Sequence, residues 1–382
     1  MLDPHSTPGT IDNPEKHEPE PVNIDKHRHE DTEKGETWRQ LAEFVDKHGP
    51  RFTGTQHLER AIDDRVNHLR NVVGNSQVHV EDFQVPLWIR GHADVVLLDA
   101  WTGGRNKTLA GLALGFSVGT PNNTGIIAEA IVVRSFEELS AKKTDEVQGK
   151  VVVYNQDYVD YGSTVRYRSN GASEAAAKGA VAALIRSVTG RSLYTPHTGM
   201  MRYDSRYGKI PAISITSEDA ELMWRKQQRG NASLFHMHCR VGEKLRVYVR
   251  STARLSETKS TSRNTVAELK GAKNSHEVVI IGGHIDSWDV GQGAMDDGGG
   301  AAISWRVPEV LKALNLQPDR TIRTVLFSAE EMGIIGGRLY YNIHKRESSR
   351  IQFIMESDLG TFTPLGLSSP TKNLQSSSSR VL

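Results

Sequence analysis

Cysteine is nearly absent from this chain: Cys239 stands alone among 382 residues, so no intrachain disulfide can form. That suits a reducing compartment without requiring one, because a chain this long can bury a core without covalent staples. No apolar run approaches the roughly 20 residues needed to cross a bilayer, which excludes a helical membrane span. An excess of one charge is missing too. The formal net charge is +1, which leaves no electrostatic case for nucleic acid or an acidic membrane face as partner. The first residues lack the apolar segment of a secretory leader. Residues 1–36 are rich in Pro, Glu, Asp, Lys and His and poor in apolar side chains. Such a stretch cannot offset the entropy of ordering and reads as a disordered tail. His27 and His29 within it read as solvated rather than metal-binding.

What is present is a patterned interior. "TWRQLAEFVDKHG" (37–49) and "HLERAIDDRVNHLRNVV" (57–73) carry apolar residues at helical spacing, joined by the turn-forming "GPRFTGT". "QVHVEDFQV" and "HADVVLLDAW" are strand-like. The texture changes near Gly119, and residues 119–250 read as an inserted α/β unit. Within it, "KVVVYN" predicts a buried strand, "SEAAAKGAVAALIRS" an Ala-rich helix, and "KIPAISITSEDAELMWRKQ" a strand, a cap and a helix. No catalytic set converges there.

Beyond Arg250 come three strand-to-helix units, with strands at 277–283, 320–328 and 350–356. Long apolar strands alternating with helices predict an α/β fold with a mixed, largely parallel central sheet flanked by helices. Ligands in such sheets bind beyond the carboxyl ends of the strands. Each of the three strands ends there in metal-binding residue types. His284 and Asp286 follow the first, Glu330 and Glu331 the second, Asp358 the third. One such ending is unremarkable in a solvated turn; three point to a common site. In an extended segment residues i and i+2 share a side, so Asp286 can steer the His284 imidazole toward a metal. One carboxylate of "MDDGGG" can bridge two cations. The pair Glu330–Glu331 suggests a ligand and a base, and His with carboxylates suits zinc. Asp289 reads as a turn or cap residue, Asp297 as structural, and His344 as a surface histidine. Pro308 falls inside a predicted helix, which it should kink or start.

"GGHIDSWDVGQGAMDDGGGAAISW", "LFSAEEMGIIGG", "YYNIHK" and "MESDLGTF" together resemble the co-catalytic zinc exopeptidases, a family that includes bacterial leucyl aminopeptidases. The resemblance extends over about residues 37–367 and takes in "HGPRFTGT", "ALIRSV" and "SLYTPHTGM". It implies a peptidase domain at 37–118 and 251–367, interrupted by a protease-associated insert at 119–250 that helps frame the cleft. It implies two zinc ions. Asp296 bridges them, His284 and Asp358 complete the first site, and Glu331 binds the second. Glu330 is then the general base toward a metal-bridging water, and Asp286 orients His284. The implied substrates are short peptides, mainly dipeptides with free ends. The implied assembly is a homodimer in the secretory route, secreted or lysosomal.

The chain departs from that pattern at both ends. The family's further histidine for the second zinc has no counterpart before Leu382, and residues 368–382 form a Ser-rich, disordered tail. A weak second site is expected, and the competing reading is a catalytically impaired, truncated product that binds or dimerises. Asn106, Asn122 and Asn231 head glycosylation triplets, a number that chance alone supplies.

Overall fold

The computed structural model describes residues 35–101, 103–231, 244–358 and 360. The expected tails, 1–36 and 368–382, lie outside these residues except for Gly35 and Glu36. Two helices come first, Glu36–His48 (α1) and Gln56–Val73 (α2). Phe44 and Val45 on α1 face the same core as Leu58, Ile62, Val66 and Leu69 on α2, because helical spacing gathers them on one stripe. The Thr55 hydroxyl caps α2 by accepting the Leu58 amide.

Val78–Ile89 (β1) leads into Ala93–Trp101 (β2), Arg105–Leu109 (β3) and Gly111–Ala113 (β4). Ile126–Val133 (β5), Val151–Tyr154 (β6), Ala182–Arg186 (β7) and Ala212–Ile215 (β8) follow. Between and after them lie Phe136–Ala141 (α3), Thr144–Val147 (α4), Tyr161–Ala177 (α5) and Ser217–Asn231 (α6). Arg246–Ser251 (β9), Arg254–Leu269 (β10) and Asn274–His284 (β11) come next, and β10 and β11 rejoin the sheet of β1. Gly299–Ala313 (α7), Arg320–Phe327 (β12), Ile335–His344 (α8) and Ile351–Glu356 (β13) complete it.

Two sheets result. The five-stranded sheet has the order β1-β10-β12-β11-β13. Its β12, β11 and β13 are parallel, and β10 and β1 are added antiparallel. The eight-stranded sheet has the order β3-β2-β9-β5-β6-β7-β8-β4, parallel from β5 to β8. The fold is therefore mixed α/β, and the parallel part of the first sheet carries the three polar strand ends. β2, β3 and β4 precede Gly119 in sequence but pair within the eight-stranded sheet, which reaches back to Ala93. Strand patterning identifies a strand without saying which sheet recruits it.

Two local outcomes differ from expectation. The Ala-rich stretch 173–187 is not one helix: α5 stops at Ala177, Gly179 turns the chain at φ +78°, and Ala182–Arg186 becomes β7. Four of its residues, Ala182 to Ile185, are buried. A short apolar run buried on both sides has no alternation to tell it from a helix. Pro308 neither starts nor breaks α7, which runs through it. A proline cannot donate to the carbonyl four residues back. Here that carbonyl, on Ser304, accepts the Thr324 hydroxyl from β12 at 3.1 Å instead.

Candidate metal centre

The strand end of β11 is packed against the start of α7. A Cβ on Gly283 would stand 2.6 Å from the Ala301 backbone nitrogen, and one on Gly300 would stand 1.8 Å from the Ser357 carbonyl oxygen. Only glycine permits backbone this close. The contact sets His284, the start of α7 and the segment after β13 side by side.

His284 is fully buried. Its Nδ1 lies 2.9 Å from the Asp286 backbone carbonyl. A carbonyl only accepts, so Nδ1 carries the proton and Nε2 offers its lone pair. Nε2 faces Asp296 Oδ1 at 3.1 Å and Asp358 Oδ1 at 3.2 Å. A lone pair and two anionic oxygens repel one another unless a cation lies among them. Ligands about 2.0–2.1 Å from a tetrahedral zinc stand roughly 3.3 Å apart, close to the spacing here. Burial alone would lower the imidazole's affinity for a proton. The carboxylates of Asp286, Asp296 and Asp358 standing close by outweigh burial and raise it far above its ordinary value. The site thus calls for positive charge at Nε2.

The orienting role expected of the Asp286 side chain falls to its backbone carbonyl. The carboxylate stays 3.6 Å from Nδ1, too far for a hydrogen bond. It is buried and turned the other way. Its Oδ1 accepts the Glu330 amide at 3.1 Å, and its Oδ2 accepts the Glu331 amide at 3.3 Å and the Thr53 hydroxyl at 2.9 Å. Asp286 therefore holds the backbone of the paired glutamates.

That backbone is sharply turned. Ala329, fully buried, adopts φ +61° directly after β12, a conformation costing about 1–2 kcal/mol for a residue with a Cβ. The amides of Ile335 and Gly336 fix the turn on the carbonyls of Ala329 and Ser328, at 2.9 and 3.1 Å. Glu330 and Glu331 are presented at its crest. The Glu331 Oε1 is buried and has no hydrogen-bond partner. Burial, with the charges of Asp296 and Asp286, pushes that carboxyl well above its usual range. An orphaned buried oxygen costs about 1–3 kcal/mol or more, and a metal ligand is the arrangement that removes the cost. Burial first, and then the charges of Asp286, Asp358 and Asp296, push Glu330 up to about 7.

Asp297 also stands in the cluster: one ligand atom each from His284, Asp297 and Asp358 lie within 4.8 Å of one another. Its two oxygens, however, accept the His284 and Gly300 amides, both at 3.0 Å. Asp297 ties the end of β11 to the start of α7, and burial pushes its carboxyl up to about 8. Asp289 pairs in bidentate fashion with Arg90. His344 is not a surface residue; it is largely buried between Glu81 and Glu347.

The structure brings His284, Asp296 and Asp358 together and sets Asp286 behind them. Asp296, Glu330 and Glu331 line a cleft of about 520 Å³, together with Arg168 and residues of the segment 196–202. Sequence reasoning gave no role to Thr53 or Arg51. Arg51 is fully buried, and it donates to the carbonyls of Gly49, Ile285, Gln292 and Gly293 at 2.7–3.1 Å. It thereby shapes the loop between His284 and Asp296. No periodicity announces such an arginine; only the likeness of "HGPRFTGT" to the exopeptidases pointed there.

Comparisons with known proteins identify the family and the fold. The family model described as Peptidase family M28 matches residues 264–380. Carboxypeptidase Q of Bos taurus is 47% identical over 331 residues, which are 87% of this chain and 66% of that protein. The crystal structure of a peptidase M28 precursor from Shewanella amazonensis superposes with a TM-score of 0.76 at 32% identity, over 85% of this chain and 70% of that one. A zinc aminopeptidase from Bacillus subtilis shares the fold, with a TM-score of 0.59 at 20% identity over 85% of this chain and 68% of that one. The chain spans 66% of the length of the carboxypeptidase Q relatives that it matches.

Proposed function

Because the chain belongs to peptidase family M28, we propose that it is a zinc-dependent exopeptidase acting on short peptides, dipeptides with free ends above all. The observation that carries this reading is the meeting of His284 Nε2 with carboxylate oxygens of Asp296 and Asp358 at 3.1 and 3.2 Å. The partnerless oxygen of Glu331 supports it. His284, Asp296 and Asp358 would hold one ion, and Asp296 with Glu331 would serve a second. Zinc, when bound, supplies Lewis acidity toward a peptide carbonyl.

The remaining chemistry belongs to the chain. Glu330, on the cleft wall, takes a proton from the attacking water and returns it to the nitrogen of the leaving amine. Water oxygen joins the carbonyl carbon, the carbon–nitrogen bond breaks, and no proton is left over. Asp286 and Thr53 keep the Glu330 backbone in place, and the insert limits the length of peptide that the cleft admits.

The test is zinc per chain by elemental analysis, with hydrolysis of a panel of dipeptides before and after chelation. Bound zinc with turnover that chelator abolishes and zinc restores is expected. Folded protein that binds zinc and hydrolyses none of the panel would replace this reading by that of a binding remnant.

A further inference from the structure

The turn that presents Glu330 and Glu331 is also held from β10. Pairing of β10 with β12 ends at Thr265 and Leu326. The next residue of β10, Asn264, is fully buried and continues the link with its side chain. Its Oδ1 accepts the Ser328 amide at 3.1 Å, and its Nδ2 donates to the Gly336 carbonyl at 3.0 Å. Ser328 enters the turn and Gly336 leaves it, so one amide group clasps both ends of the segment. Ser262, on the same side of β10 two residues earlier, adds a buried bond between its hydroxyl and that of Ser328 at 2.7 Å. Glu81 then sets which way the Asn264 amide faces. It stands opposite Asn264 in the β1–β10 register, and its Oε2 accepts Nδ2 at 3.3 Å. A carboxylate only accepts when ionised, so the NH₂ end of Asn264 is kept on the side of Glu81 and Gly336. Burial would raise the Glu81 carboxyl, but His79, His344 and Asn264 close by outweigh burial and bring it below its ordinary value. His344 completes the set: one ring nitrogen meets Glu81 at 2.5 Å and the other meets Glu347.

We propose that Asn264 is a positioning residue for Glu330 and Glu331, acting through the backbone of their turn, with Glu81 fixing the direction of its amide. The roles of the two glutamates rest on the exopeptidase reading; the clasp does not. Asp286 takes the amides at the crest of the turn, and Asn264 takes its two ends. A turn held at both places keeps the carboxylates at a fixed distance from the reacting groups, and a displacement of about 1 Å costs on the order of a hundredfold in rate. Neither Asn264 nor Glu81 lines the cleft, so both act on the chemistry without touching the peptide.

Asn264→Asp keeps an acceptor for the Ser328 amide and sets a second oxygen against the Gly336 carbonyl and Glu81. Two measurements are made on the full chain. The first is hydrogen exchange by mass spectrometry on zinc-free protein, which should quicken about tenfold or more over residues 328–336 and stay at wild-type rates in α1 and α2. The second is steady-state hydrolysis of a dipeptide with zinc, in which kcat should fall about tenfold or more while KM stays within about twofold. Adding Glu81→Gln to Asn264→Asp returns a donor between the two side chains and should recover part of both losses. Glu81→Gln alone removes a charge and no bulk; should Asn264→Asp fail to fold, it is the variant to read, and it should show the same changes at smaller size. Wild-type exchange over 328–336, exchange that quickens evenly along the chain, or quickened exchange with kcat unchanged would each overturn the proposal. A wild-type chain that hydrolyses no dipeptide, with exchange quickened only over 328–336 in the variants, would refute the exopeptidase reading and leave the clasp standing.

Discussion

Thr53 and Asp286 are 233 residues apart in sequence, and the Thr53 hydroxyl donates to Asp286 Oδ2 at 2.9 Å in the buried floor of the metal centre. The same carboxylate receives the amides of Glu330 and Glu331. The link between α2's approach and the glutamate turn therefore passes through one acidic side chain. Thr53→Val keeps the shape and removes the donor. It should weaken zinc binding by about tenfold or more, as loss of an outer-shell partner does. Hydrolysis should fall mainly in kcat, because Glu330 is displaced while the peptide-binding wall is untouched. Thr53→Ser should restore both. Zinc titration and steady-state kinetics on the three proteins check this, and an unchanged Thr53→Val would detach Asp286 from the site's geometry.

Glu330→Gln keeps the size of the side chain and loses the proton acceptor. Hydrolysis should drop by about 10²–10⁴-fold, with zinc stoichiometry unaltered. The contrast is Glu331→Gln, which should reduce zinc content because Oε1 is buried without a hydrogen-bond partner and, on the proposed reading, serves the second ion. Equal activity in Glu330→Gln would remove that residue from proton transfer.

Gly300→Ala tests the closeness of α7 to the segment after β13. The added methyl would stand 1.8 Å from the Ser357 carbonyl oxygen and 2.5 Å from Asp297 Oδ1. Backbone must move, at a cost of about 1–3 kcal/mol or more. Asp358, next to Ser357, should be carried away from His284. A lowered denaturant midpoint and a loss of bound zinc are expected together. Wild-type values for both would show that the two segments are not in contact.

Glu347 offers a pH prediction away from the metal centre. Arg323 donates to it at 2.8 Å, Arg350 at 3.2 Å, and His344 bonds the same oxygen as Arg323. Arg323 holds this carboxyl down to about 2, against burial and with help from His344, compared with 4.5 in the unfolded chain. A folded value below the unfolded one favours the ionised form on folding. Its contribution is whole above about pH 4.5 and drains away as the pH falls toward 2. Glu347→Gln should lower Tm by a few degrees at pH 7 and lose less on going from pH 5 to pH 3. Parallel Tm–pH curves for the two proteins would rule this out.

The parts of the fold that could be read from sequence are those with a strong period or a sharp strand end. α1, α2 and the three strands bearing His284, Glu330 and Asp358 are in that class. β7 was lost inside an expected helix because four consecutive buried residues carry no alternation. The three polar strand ends gather at one rim of the sheet, since chain direction in a parallel sheet fixes where such ends lie. Which atoms of Asp286 act on which neighbour could not be read that way. Spacing placed the residue on the correct side, but its carbonyl and carboxylate point to different partners. His344 reads from sequence as a surface histidine on a helix, while Glu81 from β1 lies across from it. Arg168 lies in a stretch that offers no catalytic pattern, and only the fold brings it to the cleft that Glu330 and Glu331 also line.

The order of strands within the five-stranded sheet has a consequence for biosynthesis. β13, the last strand of that sheet among the described residues, pairs with β11 at the sheet's edge, and Asp358 follows it. A ribosome delivers His284, Asp296, Glu330 and Glu331 before Asp358 emerges. On the proposed reading, the meeting of His284, Asp296 and Asp358 on the nascent chain therefore waits for one short border strand to dock.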